Sequence, residues 1–190
     1  MDLSQSPRSS QLQSLRESHF DLFGLPEKFA LDLAQLERAR LAVQSQIHPD
    51  RFAAGTDRDK RLAMQWAAQA NAAYLVLKNP VQRAAYLCER RGVPVQAENN
   101  TAMPADFLMQ QMQWREALDD LRDAGDAAGL QALHAQVQAQ RTQRLAAITQ
   151  ALDVDNAPQI AAEQVRALLF LDRFTEELRR AADTLPQRSD

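Results

Sequence analysis

His48, Pro49 and Asp50 set an imidazole and a carboxylate on either side of a rigid ring. Proline cannot continue a helix and biases the residue before it toward extended geometry, so the tripeptide reads as a loop. An amphipathic segment precedes it and an alanine-rich helical segment follows, which puts the loop at the tip of a helical hairpin. There Asp50 is a charge-assisted hydrogen-bond acceptor and His48 a donor or acceptor, with little entropy to lose on meeting a partner. Taken alone, the three residues also fit a helix-breaking proline whose aspartate caps the next turn. Covalent or metal chemistry finds no support. His19, His48 and His134 are the only histidines, widely spaced and without a carboxylate–histidine cluster, and Cys88 is the single cysteine. No catalytic residue, metal ligand or cofactor site is therefore assigned.

A second constellation lies in residues 105–123. At the helical period, Phe107, Trp114, Leu118 and Leu121 share one direction and form an inward face. Met109, Met112, Glu116 and Asp120 then point the opposite way, with Leu108 on the flank, and Phe170 lies beside the apolar stripe of the last segment. Methionine is flexible and suits adaptable binding surfaces, so two of them among acids on an outward face point to docking. The plainer alternative is that these apolar residues pack against the first half of the chain or its tail.

The elements that must position both sets are helical. Of the 190 residues, 45% are hydrophobic and 25% charged, which excludes general disorder. Alanine, leucine and glutamine abound, aromatics make up only 6%, and no alternating β-branched run occurs, so the fold class is all-α. A net charge of −3 gives no global pull toward nucleic acid. The absence of an apolar run long enough for a signal peptide or a membrane span leads us to expect a soluble, cytoplasmic chain with no membrane partner.

Residues 1–18 are serine- and glutamine-rich and read as a flexible tail. An apolar turn at 19–26 opens a first domain, 19–92. Asp32 is an N-cap; Leu36, Ala39, Val43 and Ile47 share one helical face, with Arg38 and Ser45 opposite. Ala63, Ala67, Ala70, Tyr74 and Leu77 trace a second helix. Asn79-Pro80 starts a third, with Val81, Ala84, Ala85 and Leu87, that stops at Gly92. Residues 93–103 read as a linker. Segments 105–123, 127–152 and 158–183 then form a three-helix bundle over 104–185, because none could bury its stripe alone, and 186–190 is a tail. Cys88 reads as a small buried hydrophobe, Arg90-Arg91 as a charged helix end facing the dipole, and His134 as a structural or surface residue.

With these elements in place the residues resemble a known module. An apolar entry ending in Phe23-Gly24-Leu25, an amphipathic helix, His48-Pro49-Asp50 and a long following helix are similar to a J-domain, which activates the ATPase of seventy-kilodalton heat-shock chaperones. Phe20, Leu22 to Pro26, Asn71-Ala72-Ala73-Tyr74, Asn79-Pro80, Arg83-Ala84, Tyr86-Leu87, Phe107-Leu108-Met109 and Phe170-Leu171-Asp172 resemble the HscB branch, over residues 19–183. It departs from the common J-domain pattern at Arg51, Ile47 and Gln44-Ser45-Gln46, and from the branch at Gln113. The surrounding positive charge lies instead at Arg38, Arg40, Arg51, Arg58, Lys60 and Arg61, well apart from Arg144 in the bundle.

The resemblance implies a co-chaperone of iron–sulfur cluster assembly, not an enzyme, with no cofactor. The first domain would stimulate an HscA-type ATPase through His48, Pro49, Asp50, Arg51, Arg38 and Arg40. The bundle would deliver an IscU-type scaffold held by Leu108, Met109, Met112, Glu116, Asp120 and Phe170. A general J-domain protein serving other clients, and a helical adaptor unconnected with chaperones, are the alternatives.

Overall fold

The computed structural model describes residues 18–47, 56–95 and 103–184. Every regular element among them is helical, and the chain divides into two compact units, residues 1–87 and 88–190. The division falls inside one helix, after Leu87. The linker expected at 93–103 has its residues 96–102 outside the described range, as are the tails apart from Ser18.

In the first unit, α1 (His19–Leu22) is a single turn capped by Ser18, whose hydroxyl accepts from Asp21 N at 3.0 Å. The His19 amide donates to Tyr86 Oη at 2.9 Å and its ring stacks on Tyr86 at 4.2 Å, while Phe20 is fully buried. Gly24, at φ +61°, closes the turn in the left-handed region that glycine enters without a Cβ penalty. Helix α2 (Leu33–Ile47) starts where Asp32 Oδ1 accepts from Ala34 N at 2.8 Å. Helix α3 (Asp57–Lys78) starts on a reciprocal pair: Asp59 N donates to the Thr56 hydroxyl at 3.2 Å, and Thr56 N to the Asp59 carboxylate at 3.1 Å. The two pack face to face, with Leu36, Ala63, Ala70, Ala73 and Leu77 buried between them and their neighbours. Helix α4 (Pro80–Arg90) is capped by Asn79 Oδ1, which accepts from Val81 N and Gln82 N at 2.9 and 3.1 Å. Buried Arg83 fastens the loop before α2 by donating to Phe29 O at 2.9 Å and to Leu77 O.

The second unit holds α5 (Ala105–Asp123), α6 (Ala127–Thr149) and α7 (Pro158–Thr184). Leu130, Leu133, Val137 and Ile148 of α6 face Val165, Leu168, Leu171, Phe174 and Leu178 of α7, and Phe107, Trp114 and Leu118 of α5 complete the core. Helix α6 does not end as a regular helix at residue 152. Residues Gln150–Val154 widen into a π turn, with Asp155 N donating to Gln150 O at 2.9 Å. The Leu152 carbonyl is taken by Arg91 Nη1 at 2.6 Å, so Arg91 is a cross-strut and not merely a charged helix end. Cys88 is fully buried beside Pro158 O.

Candidate functional site

His48, Pro49, Asp50 and Arg51 lie outside the described residues. Their flanks are described. Arg38, on α2, is exposed, with the nearest carboxylate, that of Asp32, only 3.9 Å from Nη2. Arg40 is engaged: Nε donates to Glu37 Oε1 at 3.0 Å, Nη2 to the same oxygen, and Nη1 to Gln44 at 3.0 Å. Its guanidinium lies 4.9 Å from the centre of the Tyr74 ring on α3, with Lys78 Nζ at 5.5 Å from the same ring. Hydrogen bonds from Arg40 first, then Tyr74, hold the Glu37 carboxyl down at about 2. Arg40 thus clamps α2 to α3, while Arg38 joins Arg58, Lys60 and Arg61 as cations open to a partner.

In the second unit, one face of α5 is apolar and uncovered. Leu108 is 43% exposed, Met109 60% and Met112 71%, with Glu116 and Asp120 exposed further along. Phe170 of α7 is half-buried. Its ring meets Phe107 edge to face at 5.8 Å and stacks on Phe174 at 5.8 Å; Phe174 in turn stacks on Trp114 at 6.0 Å. The Arg115 guanidinium stands 5.9 Å from the Phe170 centroid. The Phe107 ring, one residue before exposed Leu108, thus ties α5 to Phe170 of α7.

Sequence reasoning missed Arg144. It is half-buried, its guanidinium 4.4 Å from the Phe107 ring, and Nη1 donates to Gln164 Oε1 at 2.7 Å. Burial lowers its pKa from the ordinary value, against the pull of the Asp106 carboxylate. The signal was there in the spacing: Leu130, Val137 and Arg144 recur every seven residues along α6, and Ala151 continues the series in the π turn.

Among the described residues no group of three or more His, Cys, Asp or Glu side chains is placed to hold a metal, and no helix is long and apolar enough to cross a membrane. Residues 103–179, spanning α5, α6 and most of α7, match a family model described as the HSCB C-terminal oligomerisation domain. Over 165 residues the chain is 53% identical to a co-chaperone protein HscB homolog of Burkholderia mallei, covering 87% of this chain and 94% of that protein. The chain belongs to the HscB co-chaperone family.

A homolog in Burkholderia vietnamiensis is 52% identical over the same coverage. Chaperone HscB from Vibrio cholerae has the same architecture, with a TM-score of 0.83 at 38% identity over 89% of this chain and all of that one. Human co-chaperone HscB shares the fold at a TM-score of 0.77 and 20% identity, over 95% of this chain and 83% of that one. Membership of the HscB family makes this a co-chaperone built from a J-domain and a helical bundle.

Proposed function

We propose that the chain delivers an IscU-type iron–sulfur scaffold to an HscA-type chaperone in the cytoplasm and stimulates that chaperone's ATPase. The division of labour follows the domains: a J-domain over residues 19–92, a linker, and a scaffold-holding bundle over 104–185. The observation that carries the scaffold half is the uncovered apolar face of α5, where Leu108, Met109 and Met112 lie open on the same helix as the exposed acids Glu116 and Asp120, and where Phe107 and Arg115 reach the half-buried Phe170. Exposed apolar side chains rimmed by charge are a cost in a free protein that burial against a partner recovers. The chaperone half is supported by His48-Pro49-Asp50 between α2 and α3, and by the exposed cations Arg38, Arg58, Lys60 and Arg61 on those helices. Arg51 and Arg40 add to the positive charge, Arg40 with part of its own offset by Glu37. A J-domain acts by contacts that favour one conformation of its partner, so no bond chemistry is asked of these residues.

The test is steady-state ATPase of a purified HscA-type chaperone with and without the chain. Wild type raises the rate and the scaffold raises it further, whereas His48→Gln abolishes stimulation with helical content and melting temperature unchanged. Normal stimulation by His48→Gln would remove the J-domain mechanism. Normal scaffold binding by Met112→Ala together with Leu108→Ala would move the docking site elsewhere.

A further inference from the structure

Arg144 is a half-buried cation set on an otherwise apolar stripe of the bundle. It lies on α6 at the seven-residue spacing of buried Leu130 and Val137, a spacing that runs on to Ala151 in the π turn, and its Nε is buried without a hydrogen-bond partner among the described residues. An unpaired buried donor is costly, and an unbranched apolar side chain such as methionine, which reaches only as far as Nε, would avoid the penalty. What Arg144 touches explains its presence. Its guanidinium lies over Phe107 at 4.4 Å, Phe107 meets the edge of Phe170 at 5.8 Å, and Phe170 stacks in turn on Phe174 and, through it, on Trp114. This ladder passes from α6 to α5 to α7 and back to α5, tying together all three helices of the unit.

The ladder also meets a weak point. Helix α5 follows Pro104, which offers no side-chain cap: only its carbonyl, accepting from Phe107 N and Leu108 N at 3.0 and 3.1 Å, closes the first turn, and the Arg144–Phe107 contact adds to that hold. That turn carries Asp106, whose charge acts on Arg144, then Phe107 under the guanidinium, then the exposed Leu108 and Met109.

We propose that Arg144 is a positioning residue for scaffold docking: through Phe107 it fixes the first turn of α5 and the ring of Phe170, so that Leu108, Met109, Met112 and Phe170 form one preorganised surface. This rests on the reading of that surface as the scaffold site. A surface ordered before contact loses less rotamer and backbone freedom on binding, so the effect falls on affinity and not on the fold.

The experiment titrates the full-length chain with a purified IscU-type scaffold and follows melting temperature and amide exchange in the same variants. Arg144→Met keeps an unbranched side chain as far as the position of Nε and removes the guanidinium and its charge. It weakens binding about tenfold, leaves the melting temperature unchanged or higher, and speeds exchange at residues 107–109 while α7 stays protected. Arg144→Lys, which restores the cation, recovers most of the affinity. With Phe170→Leu already present, Arg144→Met adds little further loss, because both changes act through the same ring. Met112→Ala, exposed and outside the ring contacts of the ladder, gauges the underlying reading. If Met112→Ala weakens binding and Arg144→Met does not, the positioning role is wrong and the docking site stands; if Met112→Ala binds normally, the docking site itself is wrong and the inference goes with it. Fully additive losses for Arg144→Met and Phe170→Leu, or an Arg144→Met variant with a sharply lowered melting temperature, would make Arg144 a structural residue only.

Discussion

Single residues here do different work from what their chemical type suggests. Cys88 could be a nucleophile or a redox sensor, yet burial pushes its thiol up to about 11, outweighing the nearby charge of Arg91. A raised thiol pKa favours the neutral form: the associated stability is intact below the ordinary value of 9.0 and is lost as the pH rises through about 11. Cys88 should therefore resist a thiol-specific chromogenic reagent at pH 8 in the folded protein and react at once in denaturant. Rapid labelling of the native chain at pH 8 would show that α4 opens readily there. Arg40 is a comparable case. Its type and place on α2 mark it as a chaperone contact, but its guanidinium is occupied by Glu37, Gln44 and the Tyr74 ring, which leaves Arg38 the freer charge. Arg144 is the third, a cation set in a core stripe. Residue type in a sequence says what a group can do. Its neighbours, supplied by other helices, decide what it does.

At the scale of elements, α5 carries two faces with opposite duties, and truncations should separate them. Leu118 is 5% exposed in the bundle core, and its replacement by alanine should lower folding stability by about 2–5 kcal/mol through lost burial and a residual cavity. Met112→Ala, on the open face, should leave the melting temperature within a degree or two and weaken the scaffold about tenfold or more. Thermal unfolding beside a binding titration checks both; a large drop in melting temperature for Met112→Ala would mean that its face is covered. Phe170 belongs to both classes, being half-buried and stacked, so truncating it to alanine should cost stability as well as binding.

The same helix shows why some features were legible and others not. The boundaries at Ala105 and Asp123, the caps at Asp32 and Asn79 and the stop at Gly92 all follow from local rules, and each is found where those rules put it. So does the division of α5 into a buried set, Phe107, Trp114 and Leu118, and an open set, although Leu121, expected to face inward with the first, is only half-buried. The aromatic ladder could not be read this way, because Phe107, Phe170 and Arg144 are brought together from three helices. The π turn at Gln150–Val154 escaped for a similar reason: a carbonyl there is taken by Arg91, which lies 61 positions away in the chain.

Over the whole molecule, the net charge of −3 conceals two surfaces of opposite sign. The first unit exposes Arg38, Arg58, Lys60 and Arg61 against Asp57 on α2 and α3, whereas α5 of the second exposes Asp106, Glu116, Asp119, Asp120 and Asp123 against Arg115 and Arg122. Under the proposed function each steers its own partner, and a single chain holding both raises the effective concentration of scaffold at chaperone without any added contact. Exposed charges act over roughly 8–10 Å at moderate ionic strength, so this steering weakens with salt, while the apolar anchors of α5 do not depend on it. Charge reversal should expose the asymmetry. Arg38→Glu with Arg58→Glu should lower chaperone stimulation severalfold at low salt and steepen no further at high salt, with scaffold affinity unchanged. Arg173→Glu, an exposed change on α7, should leave stimulation intact. Arg144 would make a poor control for this purpose, being half-buried in the ladder. ATPase titrations across a salt series, with scaffold binding measured in parallel, provide the check. Equal losses for the Arg38/Arg58 and Arg173 variants would reduce the electrostatics to a nonspecific effect of net charge, and a simultaneous loss of scaffold affinity would deny the two units their separate partners.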